Sequence, residues 1–250
     1  MEIVSRMENS MSQIYNKMIK RIRPLVIVLL IMVFPMSSHG ETNLNGIYGL
    51  REKDALQKII GEYEKTNSSD KNHLKLMGIV YHNLGVLEVK GAPEKAVEYL
   101  EKGYSLFPDD YELLVYLGSA KTMVARDSWN VVTKVSGVNR GINMMDKAIK
   151  KAPNNIPIRM VRGNNSLKLP KFFNRRPIAK EDFLHIEMLI KNLPKNLPLY
   201  IDSGTKAEVF YQLGMIFKLE ENTSLSGAYF NKAIEIAPHS QWGAKAKGEL

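Results

Sequence analysis

Cysteine is absent from all 250 residues, which removes disulfides, thiolate zinc sites, thiol nucleophiles and a lipid-modified amino-terminal cysteine from consideration. Histidine is scarce. His39, His73, His82, His185 and His239 stand apart, with no pair at the i,i+3 or i,i+4 spacing that would let one helix face hold a metal. There is no Gly-x-Ser-x-Gly elbow, phosphate-binding glycine loop or dinucleotide fingerprint, so neither metal nor other cofactor is expected. Alternating β-branched runs bounded by hairpin turns are missing, and Val131 to Val138 reads as a loop leading into a helix around Gly141. With 44% hydrophobic and 24% charged residues, the composition excludes wholesale disorder.

The formal charge is +9, yet the sequence lacks the basic stripe with interleaved aromatics that binds nucleic acid. Arg6, Lys17, Lys20, Arg21 and Arg23, against Glu2 and Glu8, place +3 of that excess in residues 1–40. Beyond them Lys and Glu alternate as on solvated helix faces. No nucleic-acid partner is expected.

Residues 1–40 have the layout of a secretory leader. Lys17 to Arg23 form a basic segment, Leu25 to Phe34 an apolar run ended by Pro35, and Ser38 and Gly40 sit at −3 and −1 of a cut before Glu41. The run is well short of the roughly 20 residues that span a bilayer, so cleavage is favoured over a signal anchor. The expectation is an exported, periplasmic protein, or else one anchored in the inner membrane and facing the periplasm. An uncleaved leader is the one membrane attachment foreseen.

Repeats organise the remainder. In the clearest unit Phe210, Leu213, Gly214 and Phe217 form one helix face, and Ser226, Phe230, Ala233 and Pro238 follow on a second. Large residues at helical spacing supply an apolar face, small ones permit two helices to approach, and proline stops the second helix. A further unit has Tyr81, Leu84, Gly85, Ala96, Leu100, Gly103 and Pro108. Another has Leu114, Leu117, Gly118, Gly141, Met145, Ala148 and Pro153. A degenerate fourth has Gly163, Ala179, Phe183 and Ile186. After three of the stops comes a residue able to cap the next helix: Asp109-Asp110, Asn154-Asn155 and His239-Ser240.

These residues resemble the tetratricopeptide repeat (TPR) family. The resemblance implies an all-α fold, a right-handed α-solenoid of TPR-like hairpins with units at about 78–108, 111–153, 156–193 and 207–238. A capping helix within 41–70 and another at 240–250 would close the stack. It also implies a non-catalytic scaffold that binds a protein or peptide partner in a concave groove lined by the first helices. Projected onto those helices, His82, Val86, Val115, Ser119, Thr122, Tyr211, Met215 and Lys218 face the groove. Arg159, Arg162, Asn164 and Asn165 form a polar cluster that either faces a ligand or is tied up in a salt bridge to Asp127 or Glu181.

Two insertions draw notice. Arg126 and Trp129 lie in Arg126-Asp127-Ser128-Trp129-Asn130, where the tryptophan either anchors a partner or packs beneath its own loop. Phe172-Phe173, between Pro170 and Pro177, is either an exposed element or a loop anchor. Two other functions are carried forward. One is a transporter-associated accessory protein handling a small ligand. The other is a hydrolase using Asp202, whose Asp-Ser-Gly-Thr setting resembles an aspartic-protease turn but occurs once where such enzymes need two.

Overall fold

The computed structural model describes residues 44–66, 68–127, 129–192 and 201–250, all within one compact unit, Thr42–Leu250. Residues 1–40, where a leader is expected, and residues 193–200, before Asp202, lie outside the described residues. Ten α-helices occur among the described residues: α1 (Lys53–Tyr63), α2 (Lys71–Val86), α3 (Ala92–Leu106), α4 (Tyr111–Arg126), α5 (Val131–Lys151), α6 (Ile156–Lys168), α7 (Arg176–Asn192), α8 (Ser203–Leu219), α9 (Thr223–Ile236) and α10 (Gln241–Lys247). Helices α2 to α9 pair as four hairpins, stacked into an α-solenoid of the kind the repeats imply. No strand occurs among the described residues.

Each hairpin closes on small residues. A Cβ at Gly214 would sit 2.5 Å from the Phe230 ring, and one at Gly118 only 2.7 Å from the carbonyl oxygen of Gly141. Gly85 meets Pro93, Gly163 meets the Phe183 ring, and the Ser226 hydroxyl donates to the Gly214 carbonyl at 3.1 Å. At these crossings a larger side chain would push the helices apart. Buried Leu76, Leu100, Leu114, Leu117 and Met145 fill the first part of the core, and Phe183, Phe210, Leu213 and Phe230 the second.

The junctions repeat in backbone detail. The residues that end α3, α5 and α9 share one conformation: Phe107 (φ −130, ψ 68), Ala152 (φ −135, ψ 67) and Ala237 (φ −149, ψ 71). Proline follows each. Two residues beyond the proline, Asp110, Asn155 and Ser240 then accept hydrogen bonds from the first-turn amides of α4, α6 and α10, each such cap contributing about 1 kcal/mol.

Val131 to Val138 is helix, not loop. Asn130 caps α5 by accepting from the Thr133 amide at 3.0 Å, and the helix runs 21 residues. The β-branched residues tolerate it because Val138 is buried and Gly137 packs on Ala125. The extra length in this unit therefore goes into two added turns of α5 rather than a long connection.

Candidate functional site

The first helices of all four hairpins, α2, α4, α6 and α8, line a single cavity of about 380 Å3. Amide and hydroxyl side chains tie its floor together. Asn165 of α6 donates to the hydroxyls of Thr122 (2.6 Å) and Ser119 (3.1 Å) on α4, and Ser119 lies 2.9 Å from His82 Nε2 on α2. Asn83 Nδ2 donates to the Ile47 carbonyl, so its Oδ1, which can only accept, faces His82 Nδ1 at 3.3 Å and takes the imidazole proton; Nε2 of the neutral ring then accepts from the Ser119 hydroxyl. Across the other side Gln212 of α8 donates to Asn164 Oδ1, and Asn164 donates to Glu208.

The amino-terminal segment of the described residues forms a wall of this cavity. Asn83 donates to the Ile47 carbonyl at 2.8 Å, a buried bond. Tyr48 donates to Glu112 at 2.8 Å and stacks on Tyr116. Tyr48, Gly49 and Arg51 all face the cavity. Val131, Lys134, Val135 and Val138, one face of the extended α5, also line it, with Leu169 and Phe173.

Charge in the cavity is unbalanced. Arg51, Arg126, Lys134 and Lys168 line it against one acid, Glu208. Burial raises the Glu208 carboxyl above its ordinary range, opposed by Arg51 and by the bond from Asn164. Lys168 is lowered, first by partial burial and then by its like-charged neighbours Arg51 and Arg126. His82 is lowered to about 3, chiefly by burial and then by Arg51, so it is neutral near pH 7.

Of the residues the sequence singled out, His82, Val86, Ser119, Thr122, Arg126, Asn164, Asn165, Phe172 and Phe173 line the cavity, whereas Val115 and Met215 do not. Trp129 does not; it is 93% exposed, so it does not pack beneath its own insertion. Arg159 and Arg162 are buried and committed internally. Asp182 of α7 accepts Arg159 at 2.7 Å and Arg162 twice at 2.8 Å, while Arg162 also reaches Asp146. The internal pairing is with Asp182, and with Glu181 only at 3.5–3.8 Å; Asp127 instead pairs with Arg126. Neither arginine is left to grip a ligand carboxylate.

On α8 the projected face was also misplaced. Tyr211 packs on Phe230 and Trp242, and Lys218 pairs with Glu249. Thr205, Glu208 and Gln212 line the cavity in their place. Their i, i+3, i+7 spacing, with a glutamate set among Ala207, Val209 and Phe210, was a usable signal. Asp202 caps α8 by accepting the Thr205 amide, and among the described residues no cluster of His, Asp and Glu could hold a metal.

Residues 207–240 match the tetratricopeptide repeat family. Among solved structures the chain is similar to TTC0263, a thermophilic TPR protein in Thermus thermophilus, with 14% identity, a TM-score of 0.56, and 78% of this chain and 87% of that one covered. MamA from AMB-1 aligns at 14% identity and a TM-score of 0.44, covering 78% of this chain and 98% of that one. MamA from MSR-1 gives 16% identity and 0.43, with 78% and 94% covered. No curated protein matches significantly. The likeness to TTC0263 shows the fold alone, an α-solenoid of helical hairpins, within which residues 207–240 match a tetratricopeptide repeat.

Proposed function

We infer that the protein is a non-catalytic scaffold of the cell envelope, binding a peptide or partner helix in the concave groove formed by α2, α4, α6 and α8. The observation that carries this is the convergence of those four helices on one cavity with apolar walls and a polar floor, a mixture suited to peptide recognition. The basic and apolar layout of residues 1–40 supports export to the periplasm.

Two experiments test it. Fusing residues 1–40 to a periplasm-dependent reporter gives activity if the leader exports, and none if it does not. In-cell crosslinking and affinity recovery of the full chain then ask whether Gln212→Arg and Val135→Asp lose a partner that Glu235→Arg, a change on exposed α9 surface, retains. Equal recovery by all three variants, each with native helical content, contradicts groove binding.

A second reading, a transporter-associated accessory protein handling a small ligand, is favoured by Tyr48, Gly49 and Arg51, which wall one side of the cavity. Its volume falls within the range of small-ligand sites, roughly 300–1,000 Å3. Native mass spectrometry separates the two: a retained small molecule supports this reading, and a partner protein recovered without one supports the first.

A further inference from the structure

The four most exposed large apolar side chains among the described residues fall on two neighbouring stretches: Trp129 (93%), Val132 (78%), Val131 (71%) and Phe172 (70%). Val131 and Phe172 also line the cavity, so the exposed lip is continuous with an interior wall of Val135, Val138, Met160, Leu169 and Phe173. Such a patch on a solvated surface marks a contact site.

Charge selects among occupants. Among the described residues, the side-chain ammonium groups of Lys134 and Lys168 make no hydrogen bond or ion pair, and the Arg51 guanidinium reaches only the Tyr48 and Leu50 carbonyls of its own segment. Arg126 is already neutralised by Asp127. Glu208, the one acid of the lining, is 3% exposed and already accepts from Asn164. An apolar cavity with a surplus of unpaired cations complements a molecule with an apolar tail and an anionic head.

We propose that this cavity binds an anionic amphiphile, entering across the Trp129–Val132 and Phe172 lip, with its tail against Val135, Met160 and Phe173 and its acid head at Lys168 and Arg51. The inference goes beyond the protein-partner reading and does not depend on it. A free long-chain carboxylate and an acidic phospholipid of a bilayer share this chemistry.

The test uses the purified full chain loaded with dansyl-undecanoate, displaced in turn by octanoate, decanoate, dodecanoate and dodecanol. The acids displace the probe, tightening about fourfold per added methylene until the cavity is full. Dodecanol binds about tenfold more weakly than dodecanoate, and Lys168→Glu removes that difference by weakening the acid alone. A merely structural role for Lys168 would weaken acid and alcohol together, which overturns the head-group assignment. Equal affinity for acid and alcohol in the wild type, or no displacement by any acid with circular dichroism unchanged, also overturns it. Phosphatidylglycerol vesicles identify the source: binding to monomeric acids alone assigns a free carboxylate, and binding to both acids and vesicles a bilayer lipid. Vesicle binding without acid displacement, or capture of an acidic peptide in their place, contradicts the proposal. Partner recovery by crosslinking is scored separately, so either idea can fail while the other stands.

Discussion

His82 is neutral in the folded protein because burial lowers its pKa from 6.5 to about 3, whereas the unfolded chain takes up the proton at the ordinary value. A depressed folded pKa stabilises above the unfolded pKa and that stability is lost as pH falls, here between about 6.5 and 3. From this group alone the protein is about 2 kcal/mol less stable at pH 5 than at pH 7. Glu208 works in the opposite sense: its raised folded pKa favours the fold below 4.5 and loses that contribution as pH rises through the folded value. Urea denaturation of wild type and His82→Gln at both pH values isolates the histidine; an unchanged difference between the two pH values would show that His82 is not buried neutral. Asp182→Ala leaves buried Arg159 without a close carboxylate and Arg162 with Asp146 alone, and costs about 3–5 kcal/mol, measurable as a shift of the urea midpoint. A loss below about 1 kcal/mol would show the network to be solvated. The acid was legible in part: Ala179, Asp182, Phe183 and Ile186 share one helix face, so a carboxylate on that apolar stripe needed buried cations. What pairwise sequence reasoning lacked was the hairpin register that brings Arg159 and Arg162 to it.

The hairpin explains why some glycines are indispensable and others are not. A methyl at Gly118 would meet the Gly141 backbone, which cannot turn aside, so Gly118→Ala costs a net of about 1–2 kcal/mol despite the better helix propensity of alanine. Gly61 of α1 has nothing within 4 Å of its added Cβ, and Gly61→Ala stabilises by about 0.5–1 kcal/mol. Thermal denaturation of the pair checks both signs; a stabilising Gly118→Ala would remove close approach as the reason for that glycine. Helix ends were readable because Pro stops and Asp, Asn or Ser caps are local chemistry. The start of α5 was not. Its valines carry weak helix propensity, and the tertiary contacts of Val138 and Gly137 override it. The 131, 134, 135, 138 spacing nonetheless has the helical period, and that face became a wall of the cavity.

At the scale of the whole molecule, stacking puts side chains from distant parts of the sequence around one space. Arg51, Lys134, Lys168 and Glu208 come together only when the amino-terminal segment and three hairpins are stacked, which is why the sequence indicated the solenoid and much of the floor, His82, Ser119, Thr122, Asn164 and Asn165, but not these charged walls. On α8 the projection chose Tyr211 and Lys218; the closing helix α10 takes Tyr211 against Trp242 and leaves the adjacent face, Glu208 and Gln212, to the cavity. Scaffolding through this protein requires a partner to bind in that shared space. Site-specific photo-crosslinking in cells tests it most directly, with the reactive side chain placed at Val135 and Gln212 inside the cavity and at Lys102 and Glu235 on second-helix surfaces. A common crosslinked partner is expected from Val135 and Gln212 and none from Lys102 or Glu235. The same partner captured only from Lys102 and Glu235 would contradict it.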